Sequence, residues 1–200
     1  MAEITVPDYD DLILTGLSLS APAQVNRSKW TGRRKVVGMP GVEVWSGAFA
    51  IDTIATEAAE RPWRAFLFGL RGPQNWFRWL LPCNTHIGPK PTVDSGAGSG
   101  YSLPLTGMQA NALILSAGQY LTVPLPSGKY RAVCLTADLR TDASGEAVAA
   151  FEPALSETPA LGATVETANP FIAMSLVETT QGFSFADGVS GASFDVEEAR

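Results

Sequence analysis

Proline and glycine punctuate the chain so often that long regular elements have little room to form. The 200 residues include 19 glycines and 14 prolines, and the runs between them are short, β-branched or alternating in polarity. That pattern predicts many short strands joined by tight turns. Asp11–Ser20, Lys35–Val37 and Val42–Ile51 read as strands. In the last of these, Val42, Val44, Ser46, Ala48 and Ala50 alternate with Glu43, Trp45, Gly47, Phe49 and Ile51. Both sets carry apolar groups, which predicts a strand covered on both faces.

One helix is expected, from about Ile54 to Leu70. Ile54, Ala58, Trp63, Phe66, Leu67 and Leu70 fall on one stripe at helical spacing. Asp52, Thr53 or Thr56 caps its start, and Glu57 and Glu60 sit where the helix dipole favours acids. Pro62 kinks the helix or begins a second piece, and Gly69 and Gly72 end it. Asn75–Leu81 is an apolar strand with large rings on both faces, and Pro82–Gly100 is a long loop or a crossing into a second unit.

That second unit, about Val93–Phe151, is all β in character. Its clearest strands are Tyr120–Val123, Tyr130–Ala137 and Glu146–Phe151, the last two joined by a turn at Asp142-Ala143-Ser144-Gly145. A proline-rich link, Pro153–Pro159, leads to Phe171–Val177, Gly182–Ala186 and Ala192–Val196, which are expected to return to the first unit's sheet. No fixed-period repeat is present, which argues against a solenoid or propeller.

Charge and composition narrow the function. With 46% hydrophobic and 17% charged residues the chain is no disordered tail. A net charge of −6 disfavours nucleic-acid backbone binding as the main task. The charge is uneven: residues 1–90 hold 10 Lys and Arg against 8 Asp and Glu, and residues 91–200 hold 4 against 12. Arg27, Lys29, Arg33, Arg34 and Lys35 crowd into nine residues. They form either a solvated strand pair and loop or a basic face that docks on an acidic neighbour, such as the acidic C-terminal half of another copy.

Chemistry is sparse. The one histidine, His86, lies in a loop, and no G-x-S-x-G elbow accompanies it. Cys83 and His86 have C-x-x-H spacing, but the other cysteine, Cys134, sits in an apolar strand, short of the four ligands zinc needs. Two cysteines make no disulfide scaffold and are expected as free thiols. Gly96, Gly98 and Gly100 lack a helix behind them to hold a phosphate, and Ser127-Gly128-Lys129 lacks the glycine and the hydroxyl of a P-loop. The carboxylate pairs Asp10-Asp11 and Glu197-Glu198 read as loose residues near the chain ends. Trp63, Phe66, Phe68, Trp76, Phe77 and Trp79 serve as a sugar platform or, as their spacing favours, as core and subunit interface. The expectation is a chain that is not an enzyme and has no cofactor. The N-terminus, MAEITVPDYDD, has no apolar h-region, and no stretch approaches a membrane span, so folding in the cytoplasm and no membrane contact are expected.

The order of several short marks resembles the distal tail proteins of long non-contractile-tailed, siphophage-like bacteriophages. The likeness covers roughly Val42–Arg200. Phe66-Leu67-Phe68-Gly69-Leu70-Arg71-Gly72, followed by Asn75 and Phe77, is similar to the family's apolar helix, "LRG" and "N-x-F" strand. Ser116–Val123 is similar to its "AGD-x-L" strand start, with Gln119 in place of the acid. Ala137-Asp138 and Asp142-Ala143-Ser144-Gly145 match its "V-x-x-D … D-A-x-G-x-A" hairpin, which runs into Glu152-Pro153-Ala154-Leu155, with Ser156 where an arginine is usual. Ser193–Ala199 is similar to its closing "S-F-x-x-x-E-A".

The resemblance implies a β-sandwich or barrel-like core with one helix, spanning residues 1–90 and 153–200, and an inserted small β domain at residues 91–152. It implies a structural virion protein at the tail tip, assembled in the host cytoplasm. Such a protein forms a ring, usually a homohexamer, that joins the tail tube protein to the tail hub, the baseplate and host-attachment fibres, with the tape measure protein near and DNA only passing through the lumen. Interface candidates are then Arg27, Lys29, Arg33, Arg34, Lys35, Arg71 and Trp76, with the 82–100 loop also at subunit or ring-to-ring contacts. The alternative is a carbohydrate-binding β module of a tail accessory or receptor-binding protein.

Overall fold

The computed structural model describes residues 1–39, 41–54, 56–82, 86, 88–94, 100–180, 182, 184–186 and 189–199. The chain is mainly β, 47% strand and 10% helical with one α-helix, and its curled sheets form half-barrels. It divides into two compact units. One comprises Met1–Ser18, Trp45–Trp79 and Ile172–Arg200, and the other Leu19–Val44 and Leu80–Phe171.

The first unit is built on a six-stranded sheet. Its strands are β1 (Leu12–Ser20), β4 (Val44–Ile54), β5 (Phe77–Leu80), β13 (Phe171–Leu176), β14 (Ser184–Ala186) and β15 (Val189–Glu198). The order is β1-β4-β15-β13-β5, with β14 added to β15, so the late strands do return to the early sheet. Antiparallel register sets Phe194 opposite Phe49 and Val196 opposite Gly47 on one face, and Asp195 opposite Ala48 and Glu197 opposite Ser46 on the other. The first face is the core. Phe49 meets Phe66, Phe77 and Phe194 at ring-centroid distances of 6.4, 5.5 and 5.2 Å. Gly47 makes room there for the Trp79 ring: a Cβ would lie 2.9 Å from its Cη2.

The helix α1 (Glu57–Leu70) buries Trp63, Phe66, Leu67 and Leu70, as the stripe predicts. Thr56 is the N-cap, its Oγ1 accepting the Ala59 N–H at 3.3 Å. The start is later than expected because Ile54 belongs to β4. The helix is continuous through Pro62 and no second piece starts there. Pro62 lies in the second turn on an exposed position, where its ring removes one backbone donor. Residue 71 adopts φ 52 to end the helix, and a short 3-10 turn, Gly72–Gln74, follows.

The second unit carries β2 (Ala23–Arg27) and β3 (Arg34–Gly38) as a separate two-stranded sheet, and a five-stranded sheet of β6 (Thr92–Val93), β7 (Gly100–Thr106), β9 (Tyr120–Pro124), β10 (Tyr130–Leu135) and β12 (Ala147–Leu155), ordered β6-β7-β12-β10-β9. β8 (Leu113–Leu115) and β11 (Leu139–Arg140) pair with each other. Leu103, Leu105, Leu121, Val133, Leu135, Phe151 and Val165 form its core. The turn expected at Asp142–Gly145 is present. Gly145 N–H donates to Asp142 O at 3.2 Å, and Asp142 Oδ1 accepts from the Ser144 N–H, the Ser144 hydroxyl and the Glu146 N–H at 2.9, 2.7 and 3.0 Å. Gln119, where the resemblance expects an acid, accepts the Ser116 N–H through Oε1 at 2.8 Å.

Three expectations are corrected. β4 is buried on one face only: Trp45, Phe49 and Ile51 are buried, while Ser46, Ala48 and Ala50 are half-buried. β12 runs on through Pro153 to Leu155 instead of ending before a link. Glu198 is no loose terminal acid: it is buried in β15, and its Oε2 accepts the Trp45 N–H at 3.4 Å.

Candidate functional site

The feature that stands apart is the β2–β3 hairpin with its flanks. Every residue from 20 to 38, and Met39 after it, is exposed. Register pairs Ala23 with Gly38, Gln24 with Val37, Val25 with Val36, Asn26 with Lys35 and Arg27 with Arg34. Opposite residues share a face, so one face carries Ala23, Val25, Val36, Arg27 and Arg34. Val25 and Val36 are 50% and 51% exposed. The tip is held by Ser28, whose Oγ accepts the Trp30 and Thr31 N–H groups at 3.3 and 3.2 Å, while Ser28 N–H donates to Arg33 O at 2.9 Å. Gly32 closes the loop at φ 66. Trp30, at the tip, is 97% exposed.

This arm has little of its own to hold it. A two-stranded hairpin without a third strand or a core is marginally stable, and Arg27 directly opposite Arg34 destabilises it further. No acid lies between Asp11 and Glu43, and among the described residues none of Arg27, Lys29, Arg33, Arg34 or Lys35 makes an ion pair. What is anchored is the arm's foot. Glu43 is buried; its Oε2 accepts the Gly41 N–H at 2.7 Å and its Oε1 the Tyr101 hydroxyl at 3.3 Å. Buried Arg131 donates from Nη2 to Glu43 O at 2.7 Å and from Nε to Ala154 O at 3.2 Å. Burial and the Glu43 charge hold the Glu152 carboxyl above the usual carboxylate range.

The seven interface candidates separate accordingly. The five between Arg27 and Lys35 come together on the arm. Arg71 lies at the end of α1, its side chain exposed. Trp76 is half-buried, and its backbone receives the N-terminal segment: Ile4 N–H donates to Trp76 O at 2.8 Å, and Trp76 N–H to Ala2 O at 3.1 Å. Of the other aromatics, Trp63, Phe66, Phe77 and Trp79 are core and Phe68 is exposed. Sequence reasoning found the arm's charge but passed over Trp30, a lone ring whose exposure no local pattern marks.

The remaining candidates are quieter. His86 Nε2 lies 3.2 and 3.1 Å from the carbonyls of Gly88 and Pro89. Cys83 and part of the 82–100 loop, including Gly96 and Gly98, lie outside the described residues. Cys134 is half-buried, and burial pushes its thiol pKa up. Gly128 makes the β9–β10 turn at φ 78, its N–H donating to Leu125 O at 2.9 Å. Among the described residues no group of three or more His, Cys, Asp or Glu is placed to hold a metal ion, and no helix is long and apolar enough to cross a membrane. No protein-family model matches the chain, and no curated protein matches it.

Proposed function

We propose that the chain is a structural virion protein that forms a ring at the distal end of a phage tail, joining the tail tube to the hub and the host-attachment apparatus. The observation that carries this reading is the arm. An exposed hairpin with apolar residues on its strands, an aromatic tip and five cations is a surface built to be covered. Assembly through such arms suits a subunit that closes rings by head-to-tail contact. The ordered family marks between Val42 and Arg200 supply the place, the tail tip, and the partners: tube, hub, tape measure protein and fibres.

Light scattering and negative-stain imaging of the purified chain, alone and with tube and hub proteins, test the reading. Closed rings with a central hole are expected, and their loss in R33E/R34E. A chain that stays monomeric and binds neither tube nor hub overturns it. The carbohydrate-binding reading draws on one observation, the exposed Trp30 ring. A glycan array that lights up with the native chain and goes dark with Trp30→Ala would put it first.

A further inference from the structure

The ladder between β7 and β12 breaks where the arm's foot meets it. Ser102 pairs with Ala150 and Gly100 with Leu155, so residues 151–154 stand out of register opposite Tyr101. A bulge re-aims the groups it carries. This one turns the Ala154 carbonyl to Arg131, 3.2 Å from Nε, and holds Glu152 at the surface, across from Cys134 of β10. Arg131 is bonded in turn to Glu43 O at 2.7 Å, so the guanidinium ties the foot to the bulge. The Glu43 carboxylate completes the clasp: it takes the Gly41 N–H and, from the facing stretch of β7, the Tyr101 hydroxyl. Glu152 makes no ion pair among the described residues.

We infer that Glu152 is a proton-operated trigger on this clasp: ionised, it repels Glu43 and favours an opened foot; protonated, it lets Glu43 seat on Gly41 and Tyr101. Like charges facing one another disfavour the state in which both are ionised. Burial and the Glu43 charge accordingly hold the Glu152 carboxyl above the usual carboxylate range. The other groups around it do not compete in that window. Arg131 keeps its charge throughout, and the Tyr101 hydroxyl and Cys134 thiol are pushed up from values that are already high. The sign follows from linkage. A carboxyl whose folded-state pKa is raised weakens the closed state while ionised, and that penalty is relieved as pH falls through the folded-state pKa. The foot is therefore tighter in mild acid than at neutral pH. The inference rests on the foot alone and holds whatever the arm covers.

Hydrogen exchange at the Gly41 amide reads the clasp in the full chain, since that N–H is held by the Glu43 carboxylate. The Leu135 amide, bonded to Gln119 O at 2.8 Å in the same unit, is the reference. A partly exposed pair of charges moves an equilibrium roughly two- to fivefold. The ratio of Gly41 to Leu135 protection should rise by about that factor as pH falls from neutral to the upper edge of the ordinary carboxylate range. Glu152→Gln changes an exposed side chain and should show the tighter protection at both ends, with no response. Glu43→Gln keeps an acceptor but not the charge, and should also lose the response. A flat profile in the native chain, protection that falls on acidification, or a response that survives in either variant overturns the inference.

Discussion

Arg131→Met should loosen the second unit and the foot of the arm by about 3–5 kcal/mol, and the geometry says where that loss comes from. The guanidinium is 2% exposed. It donates to two main-chain carbonyls, Glu43 O at 2.7 Å and Ala154 O at 3.2 Å, but lies 3.9 Å from the Glu43 carboxylate. A hydrogen bond from a charged donor contributes about 1.5–3 kcal/mol net, so two of them account for the expected loss. The ion pair is long at 3.9 Å and its own attraction is largely offset by desolvating both charges, but Met also leaves the buried Glu43 carboxylate without its cation, which adds to the loss. Glu43→Gln keeps both carbonyl bonds and an acceptor for Gly41 and Tyr101, and should cost less than half as much. Tryptophan fluorescence is the wrong probe, because Trp45, Trp63, Trp76 and Trp79 lie in the first unit and Trp30 on the arm. Native-state hydrogen exchange at the amides of β9 and β10 reports the second unit directly. A loss under about 1 kcal/mol in Arg131→Met, or an equal loss in Glu43→Gln, would refute the assignment of the energy to the carbonyls.

Further outcomes follow from other contacts. Gly47→Ala puts a methyl 2.9 Å from Trp79 Cη2 and 3.2 Å from Thr15 O; the overpacking should cost about 1–3 kcal/mol, read as a lower melting temperature by tryptophan fluorescence. Thr56→Ala removes the acceptor for the Ala59 N–H and should cost about 1 kcal/mol, measured by urea titration of the helix signal. Asp142 is held below the usual carboxylate range by the Ser144 hydroxyl first and by the Glu146 and Ser144 N–H groups next. A depressed folded-state pKa gives stability that is fully present above the unfolded-state pKa and is lost as pH falls through the folded-state pKa. The stability gap between the native chain and Asp142→Asn should therefore shrink on acidification below the ordinary Asp range, and a gap unchanged to low pH would count against that turn network.

Much of the architecture was legible because its signals are local. A 3.6-residue apolar stripe ending in leucine, arginine and glycine marks α1, and Asp at the first and Gly at the last position marks the turn at Asp142–Gly145, which joins β11 to β12. β6, β7, β8 and β11 escaped, for reasons visible in their residues: β6 is only two residues long. Gly100-Tyr101-Ser102-Leu103-Pro104-Leu105 carries a proline, and β8 and β11 are three and two residues long, below the length at which alternation can be recognised. The candidate site divides in the same way: the run of cations from Arg27 to Lys35 can be counted, but Trp30 looks like any other aromatic.

Sequence by itself determined the β-rich class, the single helix, the turns and the separation of a basic segment from an acidic half, because each depends on neighbours within a few residues. Tertiary structure alone decided which faces are covered. It put Glu198 inside the sheet and Glu197 outside it, half-covered only one face of β4 where both looked apolar, and left residues 20–39 without a layer over them. Burial is a property of what packs across from a strand, and those partners come from segments as distant in the chain as β4 and β15.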